Sequence, residues 1–129
     1  MEQKEFFRFR RFPVYKKARE FRKKAKELSK KFPDKERYVL TQQLWRALDS
    51  IILNIAEGSE RYSDLDFSHF LNNAFTSLGE SVACFDLAFD DNYISQTELD
   101  NIVKEGEDLG KQLKSFSAYV RPEKKRIKQ

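Results

Sequence analysis

The chain has 129 residues, enough for one domain with its own core and too few for two. Strong aliphatics never run longer than Ile51-Ile52-Leu53, which excludes a membrane-spanning helix; the one cysteine, Cys84, excludes a disulfide framework; three prolines and four glycines are too few for a turn-rich β-sandwich or barrel. The formal net charge of +4 hides a strong asymmetry: residues 1–37 carry 15 Lys+Arg against 6 Asp+Glu, residues 38–103 carry 2 against 11, and residues 104–129 carry 8 against 4.

Residues 1–12 read as a basic, aromatic arm, Phe6-Phe7-Arg8-Phe9-Arg10-Arg11-Phe12 at its centre. Its charged start has no apolar signal-peptide core, so with a single thiol the expected setting is the cytoplasm. The first helix is expected from Pro13 to Lys30, with Val14, Ala18, Phe21, Ala25 and Leu28 at spacings that only a helix places on one side. Pro13 suits a first helical turn, and Phe32-Pro33-Asp34 suits a stop. The second helix starts at Lys35 or at Thr41 as N-cap and ends at Glu57, with Gly58 as C-terminal stop. The third runs from Asp64 to Asp90 behind an N-cap at Ser63, and Gly79 inside it hints at close helix approach. The fourth opens with a capping box, Ser95 and Glu98, and continues to Tyr119, with Gly106 and Gly110 one turn apart. The connections are short, so neighbouring helices run antiparallel. The expectation is an all-α protein: an up-down-up-down four-helix bundle over residues 13–120, followed by a basic tail at 121–129.

Asn54-Ile55-Ala56-Glu57-Gly58 with Arg61, preceded by Glu36-Arg37-Tyr38, Leu40-Thr41 and Leu44 and followed by Phe70-Leu71, Ala74, Ser77-Leu78 and Glu80, resembles a known family. It is that of the bacterial four-helix bundle proteins encoded in intervening sequences of 23S ribosomal RNA genes, sometimes called S23 ribosomal proteins. The same fold occurs in the accessory variability protein of diversity-generating retroelements. The resemblance implies a homopentamer, nucleic acid or a reverse transcriptase as partner, and no established catalysis. Ile52 stands where the family commonly has proline, which implies a straighter second helix.

Catalytic candidates are sparse. Asp66 and His69 stand three apart, half of a carboxylate–histidine metal pair, but no second histidine exists to complete one. Asp66 reads as a first-turn dipole partner, His69 as a surface or contact residue, and Cys84 as a small buried residue. The expectation is therefore no metal, no cofactor and no enzyme. Asn54 and Glu57 read either as a recognition spot or as structural groups, Asn54 bonding a neighbouring helix end and Glu57 pairing with Arg61. Trp45, Tyr15 and Tyr38 suit subunit contacts or the ends of the core.

The strongest functional signal is the arm and the basic first helix. Arginine neutralises phosphate while interleaved phenylalanines stack on unpaired bases. Arg8, Arg10, Arg11, Lys16, Lys17, Arg19, Lys23 and Lys24 are the candidate phosphate contacts, with no sign of base-specific reading. Two alternatives stand beside this: the phenylalanines pack on their own or a neighbouring subunit, and the basic and acidic segments pair with each other. The expected function is non-specific nucleic-acid binding (RNA or DNA) by an oligomeric bundle; a protein-interaction scaffold is the other reading.

Overall fold

The computed structural model describes residues 5–121. Four helices carry the fold: α1 (Pro13–Ser29), α2 (Leu40–Ser59), α3 (Asp64–Asp90) and α4 (Gln96–Val120), with short 3-10 turns at Arg8–Arg11 and Asp34–Glu36. The basic tail expected after Arg121 lies outside the described residues.

Each helix buries one apolar stripe, which in α1 is Val14, Ala18, Phe21 and Ala25. Leu44, Leu48, Ile51 and Ile55 of α2, Leu71 and Phe85 of α3, and Leu109 and Leu113 of α4 meet them in the core. Cross-helix contacts give the directions. Along α1 and α2, Arg22 bonds Asp49 at 2.8 Å and Ser29 bonds Trp45 at 3.0 Å, so one number rises as the other falls. Between α2 and α3, Gly58 lies against Phe67, and the Ser50 and Ser77 hydroxyls meet at 2.8 Å. Val82 of α3 lies against Gly106 of α4, and Phe75 against Gly110. Lys24 reaches Glu105 at 2.9 Å, and the Phe12 ring meets Phe116 at 5.1 Å, which brings α4 back beside α1. The bundle is therefore closed and antiparallel throughout, with α1 diagonal to α3. No helix among the described residues is long and apolar enough to cross a membrane.

The helix ends follow the expected chemistry at α3 and α4. Ser63 Oγ accepts from the Asp66 amide at 3.0 Å, and Ser95 and Glu98 form the reciprocal capping box. Asn92 takes the left-handed conformation (φ 66°) that closes α3. Its amide reaches the Phe89 carbonyl and that of Tyr93 the Ala88 carbonyl, both at 2.9 Å, so asparagine fills the place usually held by glycine.

Four expectations need correction. α2 starts at Leu40, neither at Lys35 nor with Thr41 as N-cap, because Asp34–Glu36 turn first and the Glu36 carboxylate accepts from the Leu40 amide at 3.3 Å. Gly58 does not stop α2, which stays helical to Ser59 and is continuous through Ile52. A Cβ at Gly58 would stand 2.7 Å from Phe70 Cβ and 2.8 Å from a Phe67 ring carbon, so the residue is bare to let α3 approach. Gly79 has nothing within 4 Å of a Cβ, so it makes no close approach; Gly106, where a Cβ would stand 3.2 Å from a Val82 methyl, does.

The end of the bundle around Phe32 is tied across its connections. Lys31 pairs with Glu98, Phe32 packs on Phe85 and Tyr93, and the Tyr93 hydroxyl donates to Glu36 at 2.6 Å. That bond, helped by desolvation, pushes the Tyr93 phenol up to about 12.

Gly58→Ala is expected to destabilise the fold by about 1–3 kcal/mol through overpacking, whereas Gly79→Ala stabilises it by about 0.5–1 kcal/mol through helix propensity; urea midpoints check both. The folded chain holds the Tyr93 proton more tightly than an unfolded phenol near ~10 does, so this contribution is full below that pH and is lost as pH rises toward about 12. Tyr93→Phe should remove that loss and, in ultraviolet absorbance, the phenolate that appears at about pH 12.

Candidate nucleic-acid interface

The arm is partly consumed by the fold. Phe12 stacks on Phe67 at 6.3 Å and meets Phe116 edge-on, while Phe9 packs edge-on against Tyr15 at 5.0 Å. Phe6 and Phe7 stay 80% and 60% exposed. Arg8 donates from Nη2 to the Ser59 carbonyl at 2.9 Å, and its guanidinium lies 5.7 Å from the Phe12 ring and 5.8 Å from the Phe67 ring. It therefore satisfies a carbonyl in the last turn of α2 that has no helical partner. Arg11 pairs with Glu5 at 2.6 Å, and Arg10 is exposed.

Helix geometry sorts the remaining cations by face. Lys17 and Lys24, two turns apart, both turn toward α4 and share Glu105, at 3.8 and 2.9 Å. The Lys24 ammonium holds the Glu105 carboxyl below its usual range, and Glu105 raises Lys24 in return. Lys16, Arg19 and Lys23 lie on the α2 side, and the same 3-4-3-4 spacing continues through Lys26 and Lys30. At 1.5 Å per residue this stripe is about 21 Å long. It lines a groove of about 870 Å³ between α1 and α2, with Arg22 tied to Asp49 at one rim and Glu20 and Glu27 interspersed. Six cations thus face three carboxylates. Lys26 and Lys30 were not among the candidate phosphate contacts; their spacing from Lys16 puts them on its side of the helix, but that this side faces α2 is set by packing.

The floor of the groove is apolar: Trp45, 40% exposed, Leu53, 64% exposed, and half-buried Ile52. The indole Nε1 of Trp45 donates to Ser29 Oγ at 3.0 Å, and Lys26 Nζ sits 3.9 Å from the ring centroid. Beyond Trp45 the groove continues into a second hollow lined by Arg37, Tyr38 and Arg46. Tyr38 is 78% exposed, and Tyr15 is half-buried under Arg19.

The Asn54–Gly58 segment is built into the packing of α2 on α3. Asn54 bonds back one turn, from Nδ2 to the Ser50 carbonyl at 2.8 Å and hydroxyl at 3.0 Å, and not to a neighbouring helix end; Ser50 then carries the link across to Ser77. Ile55 is fully buried, and the Ala56 carbonyl accepts from Ser59 Oγ. Glu57 pairs with Arg61 at 3.6 Å, and Arg61 lies 4.6 Å over the Phe70 ring. His69 is exposed. Cys84 is 2% exposed, and burial, with Glu80 adding, pushes its thiol up to about 11. Among the described residues no three His, Cys, Asp or Glu side chains are grouped to hold a metal.

Residues 10–115 match the family of 23S rRNA-intervening sequence proteins. No curated protein matches the chain. Among solved structures it is similar to a protein with unknown function from the S23 ribosomal protein family of Bacteroides thetaiotaomicron VPI-5482, at 27% identity and a TM-score of 0.72, over 81% of this chain and 97% of that one.

Because Arg8 caps α2 while Lys23 points into the groove, the two should separate in stability measurements. Arg8→Ala is expected to lower unfolding free energy by about 1 kcal/mol, and Lys23→Ala to change it by less than about 0.5 kcal/mol, in paired denaturant titrations.

Proposed function

The chain belongs to the 23S rRNA-intervening sequence protein family, and from that premise we propose that it is a non-enzymatic bundle protein that binds nucleic acid through its sugar–phosphate backbone. The observation that carries this reading is the stripe Lys16, Arg19, Lys23, Lys26 and Lys30 along one side of α1. A line of cations beside a groove attracts a polyanion without reading its sequence. The non-enzymatic part is supported by the buried, proton-holding Cys84 thiol and by the placement of His69 away from it on the surface. Copies of the chain in a homo-oligomer, five by family resemblance, would repeat the stripe and raise avidity. Exposed Phe6 and Phe7 favour a second reading, a protein-interaction scaffold. That reading expects a partner that survives nuclease and high salt.

Fluorescence anisotropy with labelled RNA and DNA at increasing salt tests the proposal. Affinity should fall with a log–log slope near −0.9 per phosphate neutralised on duplex DNA and about −0.7 on single strands. Joint Lys16→Glu, Arg19→Glu and Lys23→Glu substitution should abolish binding, while Lys17→Ala, already compensated by Glu105, should leave it nearly unchanged. Absence of any binding at about 50 mM salt would sink the reading.

A further inference from the structure

We propose that the ligand of the α1–α2 groove is a single strand, laid with its phosphates along the α1 stripe and its bases against the floor formed by Trp45, Ile52 and Leu53. This rests on the nucleic-acid reading above and narrows it to one class. A cationic ridge alone is indifferent to strandedness, because a duplex and a single strand both present phosphates. The floor is not indifferent. A duplex keeps its base faces stacked inside, whereas a single strand offers apolar base faces that gain by leaving water.

Three features make the floor a stacking surface. Trp45 and Leu53 are 40% and 64% exposed, a large apolar area facing the cations across the groove. The Ser29 bond to Nε1 fixes the indole in its plane, so little side-chain entropy is lost when a base settles on it. Lys26 rests on that same ring and is the cation nearest to the phosphate of a stacked base, which it meets by leaving the ring. Trp45 also lines the adjoining hollow, where the exposed Tyr38 ring lies with Arg37 and Arg46, so the track continues with the same pairing of aromatic and cation. A peptide of acidic side chains would satisfy the cations and leave the floor in water.

Trp45 is the chain's only tryptophan, so its emission reports on the groove alone. The test titrates the full chain with oligo-dT, with oligo-U, and with a blunt duplex of equal phosphate number at low salt. Both single strands should quench Trp45 and bind more tightly than the duplex, which should leave the emission nearly unchanged; the two single-strand arms distinguish DNA from RNA as the better ligand. Trp45→Ala should weaken single-strand binding by about 5- to 100-fold and spare duplex binding, and Trp45→Phe should recover most of the loss. Leu53→Asp, which touches no structural bond, should weaken the single strand in the same way. Duplex and single strand binding equally well, or an unchanged affinity in Trp45→Ala, would overturn the single-strand assignment while leaving backbone binding intact. Displacement of the oligonucleotide by poly-glutamate at equal charge would also overturn it. Binding of neither polymer would take down both this inference and the function it rests on.

Discussion

At Gly58 the second helix presses against Phe67 and Phe70 of the third so closely that a Cβ would stand 2.7 Å from Phe70 Cβ and 2.8 Å from a Phe67 ring carbon. Much of the molecule's organisation follows from that contact. It holds the end of α2 against the start of α3, so that Phe67 lies where Phe12 and Phe116 can close the bundle end. It leaves the Ser59 carbonyl within reach of Arg8, and it seats Arg61 on Phe70 beside Glu57. Two turns back along α2, the Ser50 and Ser77 hydroxyls meet across the same interface. The Asn54–Gly58 motif is thus the seam of the α2–α3 pair, and α1 is anchored to that pair at both ends, by Phe12 and by Ser29 under Trp45.

The placement of α1 decides what becomes of the charge asymmetry. Its neighbours are α2 and α4, and α3 lies diagonally across the core. Glu105 and Glu98 of α4 neutralise Lys17, Lys24 and Lys31. Along the groove α2 offers Asp49, already engaged by Arg22, and Glu27 pairs with Lys30 at 2.9 Å, so Lys16, Arg19, Lys23 and Lys26 keep the field of the facing stripe. The carboxylates of α3 belong to the helix diagonal to α1, and among the described residues none forms an ion pair with it. The basic first segment is therefore half absorbed and half free.

Periodicity and capping made the helices legible: the α1 stripe, Ser63, Ser95 with Glu98, and Pro13 all sit where residue spacing places them. The glycines were harder. Gly58 lies near a helix end, where a stop and a close approach look alike in one dimension, and only the ring positions of Phe67 and Phe70 separate them. Gly79 and Gly106 likewise read the same until their neighbours are known. In the interface, Lys16, Arg19 and Lys23 were identifiable as cations, but which of the α1 cations share a side with Trp45 depends on the register of α1 on α2, which no local pattern encodes. Arg8 was misplaced for the same reason, because its carbonyl partner is 51 residues away.

The inward stripe of α1 and its groove-facing cations occupy separate sets of positions: Val14, Ala18, Phe21 and Ala25 hold the helix in place, and Lys16, Arg19, Lys23 and Lys30 hold nothing in the core. Selection can therefore act on one set without disturbing the other. A lineage could shed, reverse or redistribute the groove charge at little thermodynamic cost, since exposed substitutions away from caps and core usually change stability by only about 0.5 kcal/mol. The bundle behaves in this respect as a chassis whose first helix is a replaceable panel. Descendants of one ancestral chain could carry different cargo, or none, on an unchanged frame.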